Sequence, residues 1–369
     1  MVFLDLRKAF DTVNHDILIK KMERYGIRGP VLSLFKSYLC NRKHFVKIGN
    51  EVSDVCLLNI GVPQGSVLGP LLFLIYINDM PNATNLFIRL FADDTFLAFQ
   101  HKNIKKLNKI VNKELDKVAN WLIDNRLSLN VLKSKSMLIS WQKYLKIKKF
   151  RLNIKRRTLD HTSSYKYLGG YFDKKLNWNS HVEQVCQKIS KVSGVLCKLR
   201  YSLDLDLLKN VYYALVYPYL LYGIMSWGCA SENLMKNVRS AQNRIIKIMR
   251  FIPFGHYDLK PIYKEMDILQ VDDIYTLEVG KFMYKFYNGL LPENFHEYFK
   301  YVSNVHQYNT RMAKNMCLYP IRTNTKFSKN TLKCKGVEVW NNIPIEIKNL
   351  PSIKSFSSQL KALLWLLHL

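Results

Sequence analysis

Two aspartates stand side by side at positions 93 and 94, between the apolar runs FIRLFA and TFLAF. Short runs rich in aromatic and aliphatic residues around a polar tip read as a β-hairpin, with Asp93 and Asp94 in its turn. Adjacent like charges repel, and more strongly in a half-buried turn than in open water. The tip is therefore either a plain surface turn, the ordinary reading of FADDT alone, or a place where a cation removes the repulsion. Hard Mg²⁺, with Mn²⁺ as a substitute, takes carboxylate oxygens together with phosphate oxygens. A third carboxylate, Asp5, closes a second apolar strand, VFLDL (2–6).

The charge balance names a class of partner. The chain has 56 Lys and Arg against 28 Asp and Glu, a net charge of +28. The excess is localised: residues 101–200 hold 24 basic and 6 acidic residues, whereas residues 1–100 hold 11 and 9. Such a field attracts polyanions, nucleic acid before anionic membrane, and a basic block beside a near-neutral segment favours a surface that tracks phosphates. The seven cysteines form no C-x-x-C pair, which argues against a disulfide framework or a zinc ribbon and fits a reducing compartment. The opening MVFLDLRKAF carries charges within its first eight positions and is no secretory signal. The expected location is intracellular, nucleus and/or cytoplasm, not secreted. The twenty uncharged residues 211–230 include five tyrosines, a proline and two glycines, so they are expected to form a buried helix–turn–helix rather than a membrane span.

Periodicity sets the other elements. Val13, Ile17, Leu18, Met22 and Tyr25 are spaced for a helix that Gly26 ends. A second helix is expected after Pro30. HFVKIGNEVSDVCLLNI reads as a hairpin turning at Gly49-Asn50. GVPQGSVLGPLLFLIYINDM is a Gly/Pro loop opening into an apolar helix, and a basic amphipathic helix spans roughly Ile104–Arg126. Short strand-like pieces follow: LSLN, KSKSMLIS, FRLNI and YKYLGGYFD. From Asn179 to about Phe251 the pattern is helical, and beyond that it is mixed. No internal repeat is present.

Five segments occur in order: FLDLRKAFD (3–11), GVPQGSVLGPLLF (61–73), FADDTFLAF (91–99), LSLNVLKSKSML (127–138) and YKYLGGYF (165–172). They resemble palm motifs A to E of reverse transcriptases from non-LTR retrotransposons, most like the jockey-type LINE elements. LNWNSHV (176–182) and YPYLLYG (217–223) are similar to that family's thumb. YNTR (308–311), GVEVWNNIP (336–344) and SFSSQLK (355–361) are similar to its tails. The resemblance implies an α+β polymerase of right-hand architecture: a palm over 1–175, a helical thumb-like region over 176–255, and a C-terminal region of open role over 256–369.

It further implies RNA-directed DNA polymerisation, with an RNA template, a DNA primer and dNTP as partners and no membrane. Asp5 and Asp93 would hold two Mg²⁺ ions, with Asp94 supporting the site. Phe10 would exclude a ribose 2′-OH, although the ring also suits a plain core position. Gln64 and Gly65 would contact the incoming nucleotide, and Lys133, with Lys135 as a near neighbour, would protonate the departing pyrophosphate. Tyr167, Leu168 and Gly169 would form the primer grip. The helix at 104–126 and the Lys/Arg-rich stretch at 143–157 would track the template–primer backbone. The family carries a fingers region before motif A, which here begins at residue 3. A truncated copy with weak activity, or a catalytically dead nucleic-acid-binding remnant, is thus an expectation to set beside the active enzyme. A maturase-like or telomerase-like polymerase and a membrane-associated basic protein also fit parts of the pattern.

Overall fold

The computed structural model describes residues 1–140, 150–155, 157–253, 255, 257–305 and 316–366. The chain divides into two compact units, Met1–Leu176 and Asn177–Leu369. The YNTR segment and most of the basic stretch at 143–157 lie outside the described residues.

The first unit is built around β1 (Val2–Arg7), whose side chains Val2, Phe3, Leu4 and Leu6 are all at most 4% exposed. A strand apolar on both faces belongs inside a sheet with layers on either side. The chain continues through α1 (His15–Arg24), α2 (Gly29–Leu39), the short strands β2 (Arg42–His44), β3 (Lys47–Ile48), β4 (Glu51–Val52) and β5 (Cys56–Leu58), and α3 (Leu68–Ile77). The β6 (Phe87–Phe91) and β7 (Asp94–Ala98) hairpin, α4 (Ile104–Asp124), β8 (Ser128–Leu129) and β9 (Lys135–Ser136) come next. The unit closes with β10 (Asn153–Ile154), β11 (Arg157–Thr158), β12 (Asp160–His161), β13 (Ser164–Tyr167) and β14 (Gly170–Asp173). The main sheet runs β12-β9-β1-β7-β6, with β8 also paired to β1.

Side chains alternate across β1. Val2, Leu4 and Leu6 join a core with Leu18 and Met22 of α1, Leu72 and Tyr76 of α3 and Leu115 of α4. Phe3 faces the other way and stacks on Tyr165 of β13 at 4.3 Å between ring centres. Buried polar bonds tie the helices together. The Lys21 ammonium donates to the Tyr76 carbonyl and to Asp79, both at 2.6 Å, and the Tyr76 hydroxyl donates to the Asn125 carbonyl at 2.6 Å. Burial holds the Lys21 pKa down against the pull of Asp79.

Two local expectations shift. The second helix starts at Gly29 and carries Pro30 in its first turn, where a missing N–H is harmless. Tyr25, spaced for the buried face of α1, is 49% exposed at its end.

The second unit is helical. Its members are α5 (Asn179–Leu199), α6 (Leu205–Leu215), α7 (Tyr217–Leu221), α8 (Ile224–Trp227), α9 (Glu232–Met249), α10 (Lys260–Glu265) and α11 (Val271–Tyr287). They are followed by α12 (Leu332–Asn342), α13 (Ile345–Lys348) and α14 (Ile353–Leu366), with a four-residue turn of helix before them at Lys326–Lys329. One core runs from Val182 to Leu364 through Trp227 and Trp340, so the stretch after residue 255 packs into the same interior as α5 to α9. Read from sequence as mixed, that stretch is helical among the described residues apart from one isolated bridge, Tyr301 to Leu318. The Gln242 amide fastens three segments, donating to the Tyr212 hydroxyl and the Leu269 carbonyl and accepting from the Val271 N–H. The uncharged run 211–230 breaks at Val216 and Gly223 into the end of α6, α7 and α8. Among the described residues, no helix is long and apolar enough to cross a membrane.

Candidate active site

Asp5 and Asp94 are register partners between β1 and β7. The Asp5 N–H donates to the Ser134 hydroxyl at 3.1 Å, and the Asp5 carbonyl accepts from the Asn130 N–H at 2.8 Å. A strand residue points both backbone groups to one side, so Asp5 and Asp94 form a non-hydrogen-bonded pair. In such pairs the Cα atoms approach to about 4.5 Å and the side chains lie closest. Both carboxylates project from the face that carries Phe3 and Phe96, opposite the helices. Phe91 and Asp94 close the β6–β7 hairpin, which leaves Ala92 and Asp93 as its two-residue tip. Ala92 holds φ +50, the left-handed region that such tight turns demand.

The three carboxylates are half-buried. Burial raises the Asp94 pKa, and the charges on Asp93 and then Asp5 raise it further. Among the described residues, no Lys, Arg or His nitrogen lies within 4.0 Å of any of the three. Nor do three His, Cys, Asp or Glu side chains among those residues close into a formed metal cage. The donors are nonetheless of the right kind. Hard carboxylate oxygens that carry excess negative charge fit a divalent cation whose remaining ligands come from phosphates and water.

The Gly/Pro loop at 61–65 is stitched to the segment after β1. The Gly61 N–H donates to the Val13 carbonyl and the Val62 N–H to the Phe10 carbonyl, both at 2.8 Å. Gly61 has φ +86, and a Cβ there would sit 2.9 Å from the Asp11 carbonyl oxygen. A Cβ on Gly69 would lie 2.3 Å from the Pro63 carbonyl oxygen, so the loop can fold onto the start of α3 only over a glycine. Gln64 is exposed and donates its amide to Asp11 at 2.8 Å, with Gly65 beside it at φ +79. Phe10, half-buried, packs on Phe73 at 4.8 Å.

Lys133 is exposed in the turn from Asn130 to Ser134, the two residues that bond the backbone of Asp5. Its neighbour Lys135 is engaged instead in an ion pair with Asp160 at 2.8 Å. Tyr167 and Gly170 close the β13–β14 hairpin around Leu168 and Gly169, which have φ +45 and +79. The Tyr167 ring packs on Phe3 at 5.5 Å and Phe96 at 5.7 Å. Burial, followed by the charge of Asp94, raises the Tyr165 and Tyr167 pKa values.

All ten expected site residues therefore fall in the first unit. Asp11, Asn130, Ser134 and Tyr165 also join the site, though none is among the residues the sequence pattern points to. Asp11 lies only six positions after Asp5, a spacing that a scan for nearby carboxylates would catch. Ser134 acts across 129 positions of chain and leaves no local trace.

Residues 1–172 match the family model described as reverse transcriptase (RNA-dependent DNA polymerase). The chain is 30% identical over 264 residues to the probable RNA-directed DNA polymerase from transposon BS of Drosophila melanogaster, covering 69% of this chain and 29% of that protein. It is 28% identical over 284 residues to the RNA-directed DNA polymerase from mobile element jockey of the same fly, covering 73% and 30%. For the probable polymerase from transposon X-element the figures are 27% over 266 residues, 67% and 28%. The chain thus spans 28–30% of the length of these curated relatives. A telomerase structure from Candida albicans aligns at a TM-score of 0.35 and 11% identity, covering 73% of this chain and 51% of that one, too remote to support a fold assignment.

Proposed function

We propose that this chain, which belongs through residues 1–172 to the reverse transcriptase family of the non-LTR retrotransposon kind, extends a DNA primer along an RNA template. One observation carries the reading: Asp5 and Asp94 are paired in register with Asp93 beside them, and no basic side chain among the described residues neutralises them. In this reading the main sheet of the first unit is a polymerase palm, and the helices from α5 onward are the thumb-like region.

The primer's 3′-OH attacks the α-phosphorus of a dNTP, and the bond to the bridging oxygen of pyrophosphate breaks. Mg²⁺ held by Asp5, Asp93 and Asp94 would supply the charge stabilisation of that transfer. The protein's own groups do the rest. The 130–134 turn locks the backbone of Asp5 and so fixes the direction of its carboxylate. Lys133, on the same turn and without an ion-pair partner among the described residues, can donate a proton to the departing pyrophosphate. Phe10 is braced by Phe73 and walls the sugar position. Gln64, held by Asp11, and Gly65 line the nucleotide's approach. The hairpin carrying Tyr167, Leu168 and Gly169 is anchored on Phe3 and Phe96 and would support the primer end.

Primer extension on oligo(dT)/poly(rA) with Mg²⁺ tests the proposal. Template-dependent incorporation that Asp93→Ala abolishes is expected. Incorporation that survives that change would refute the assignment.

A further inference from the structure

The carboxyl ends of α5 and α9 lie side by side in the second unit, with Arg200 Nη1 reaching the Ile248 carbonyl at 3.5 Å. Three aromatic rings surround them in water rather than in the core: Tyr201, Phe251 and Tyr257 are 72%, 52% and 52% exposed. The Arg200 guanidinium sits 4.8 Å from the Tyr201 ring centre and 4.6 Å from that of Phe251, and those two rings meet edge-on at 5.6 Å. One turn earlier on α9, the Lys247 ammonium lies over Tyr257 at 5.4 Å. The helix dipole explains cations at helix ends. It does not explain rings left in water beside them, nor why Phe251 is held at φ +54, a conformation that bulky side chains rarely adopt.

We propose that this end of the second unit is a stacking site for unpaired nucleotides of a nucleic-acid single strand. Flat rings beside cations match the alternation of base and phosphate along such a strand. Stacking tolerates any base, because every base has a π-face. Arg250 is already ion-paired with Glu265 at 2.9 Å, so Arg200 and Lys247 are the cations that would meet phosphates. The chain's net charge of +28 favours a polyanion as occupant. The site lies outside the unit that holds the three aspartates and needs neither nucleotide triphosphate nor metal.

Fluorescence anisotropy in EDTA tests it, using labelled oligo(dT) of about 12 nucleotides, within the usual single-strand site sizes, and an abasic strand of equal length. The doubly substituted Tyr201→Ala, Phe251→Ala protein should bind oligo(dT) about tenfold or more weakly. The slope of affinity against salt should stay unchanged, because no phosphate contact is removed. Affinity for the abasic strand should not move, and Tyr201→Phe should keep wild-type binding. Equal affinity of the parent and doubly substituted proteins for oligo(dT), or an equal loss on both strands, would overturn the proposal. Asp93→Ala should leave this binding intact, so failure of the polymerase reading and failure of the stacking site are separate results.

Discussion

Two charge clusters, one in each unit, are handled in opposite ways. In the second, Arg239 is gripped by Glu232 and by both oxygens of Asp272, so each charge meets its opposite. In the first, Asp5 and Asp94 share one sheet face with Asp93 at the adjoining hairpin tip, and no cation among the described residues lies within ion-pairing distance of the three. Paired charges can serve the fold alone, whereas a gathered, uncompensated cluster of one sign points to something else to be bound. The contrast also predicts opposite responses to substitution and to acid.

The largest effect should come from Asp5→Asn. Primer extension should fall by on the order of a thousandfold or more, while the melting temperature holds or rises because a repulsion is gone. A lost site together with lost stability would break the comparison. Trp340→Ala should do the reverse. The side chain is fully buried in the second unit's core, and its loss should cost about 3–5 kcal/mol in denaturant unfolding.

Acid comes next. Burial, helped by Lys188, pushes the His181 pKa down from 6.5 to about 4. A depressed pKa stabilises the fold above pH 6.5, and that stability is lost as the pH falls towards 4, by about 3 kcal/mol in all. His181→Gln should flatten the dependence in pH-resolved melts. Asp94 has the opposite sign. Its raised pKa opposes folding when it is charged, so Asp94→Asn should raise the melting temperature at neutral pH. The gain should fade as acid protonates Asp94 and vanish below the ordinary carboxylate value. Mg²⁺ should lift the melting temperature of the parent protein more than that of this variant. The smallest effect belongs to Ala92→Gly, which relieves a positive φ and should add up to about 1 kcal/mol.

The carboxylates were legible because charge inside apolar runs is conspicuous, and the Gly49-Asn50 turn and α4 were legible because turn chemistry and periodicity are local. What stayed hidden acts at a distance. Neither the hold of Ser134 on Asp5 nor the stacking of Tyr165 on Phe3 has a pattern in the chain; both exist only once β1, β9 and β13 are brought together. The run 211–230 reads from sequence as two helices about one turn, but Val216 and Gly223 make two breaks. From Lys260 on, α10 and α13 are six and four residues long, too short for a period to show, and the 17-residue α11 buries residues on several sides, which blurs its period.

The Asp5–Asp94 register also has a bearing on quality control. Sliding β1 by one residue would turn Asp5 towards α1, α3 and α4 and drive a carboxylate into the apolar interior. That penalty of several kcal/mol strongly disfavours a mispaired sheet. A molecule that reaches the folded state has, by that fact, already proofread the alignment of its own aspartates.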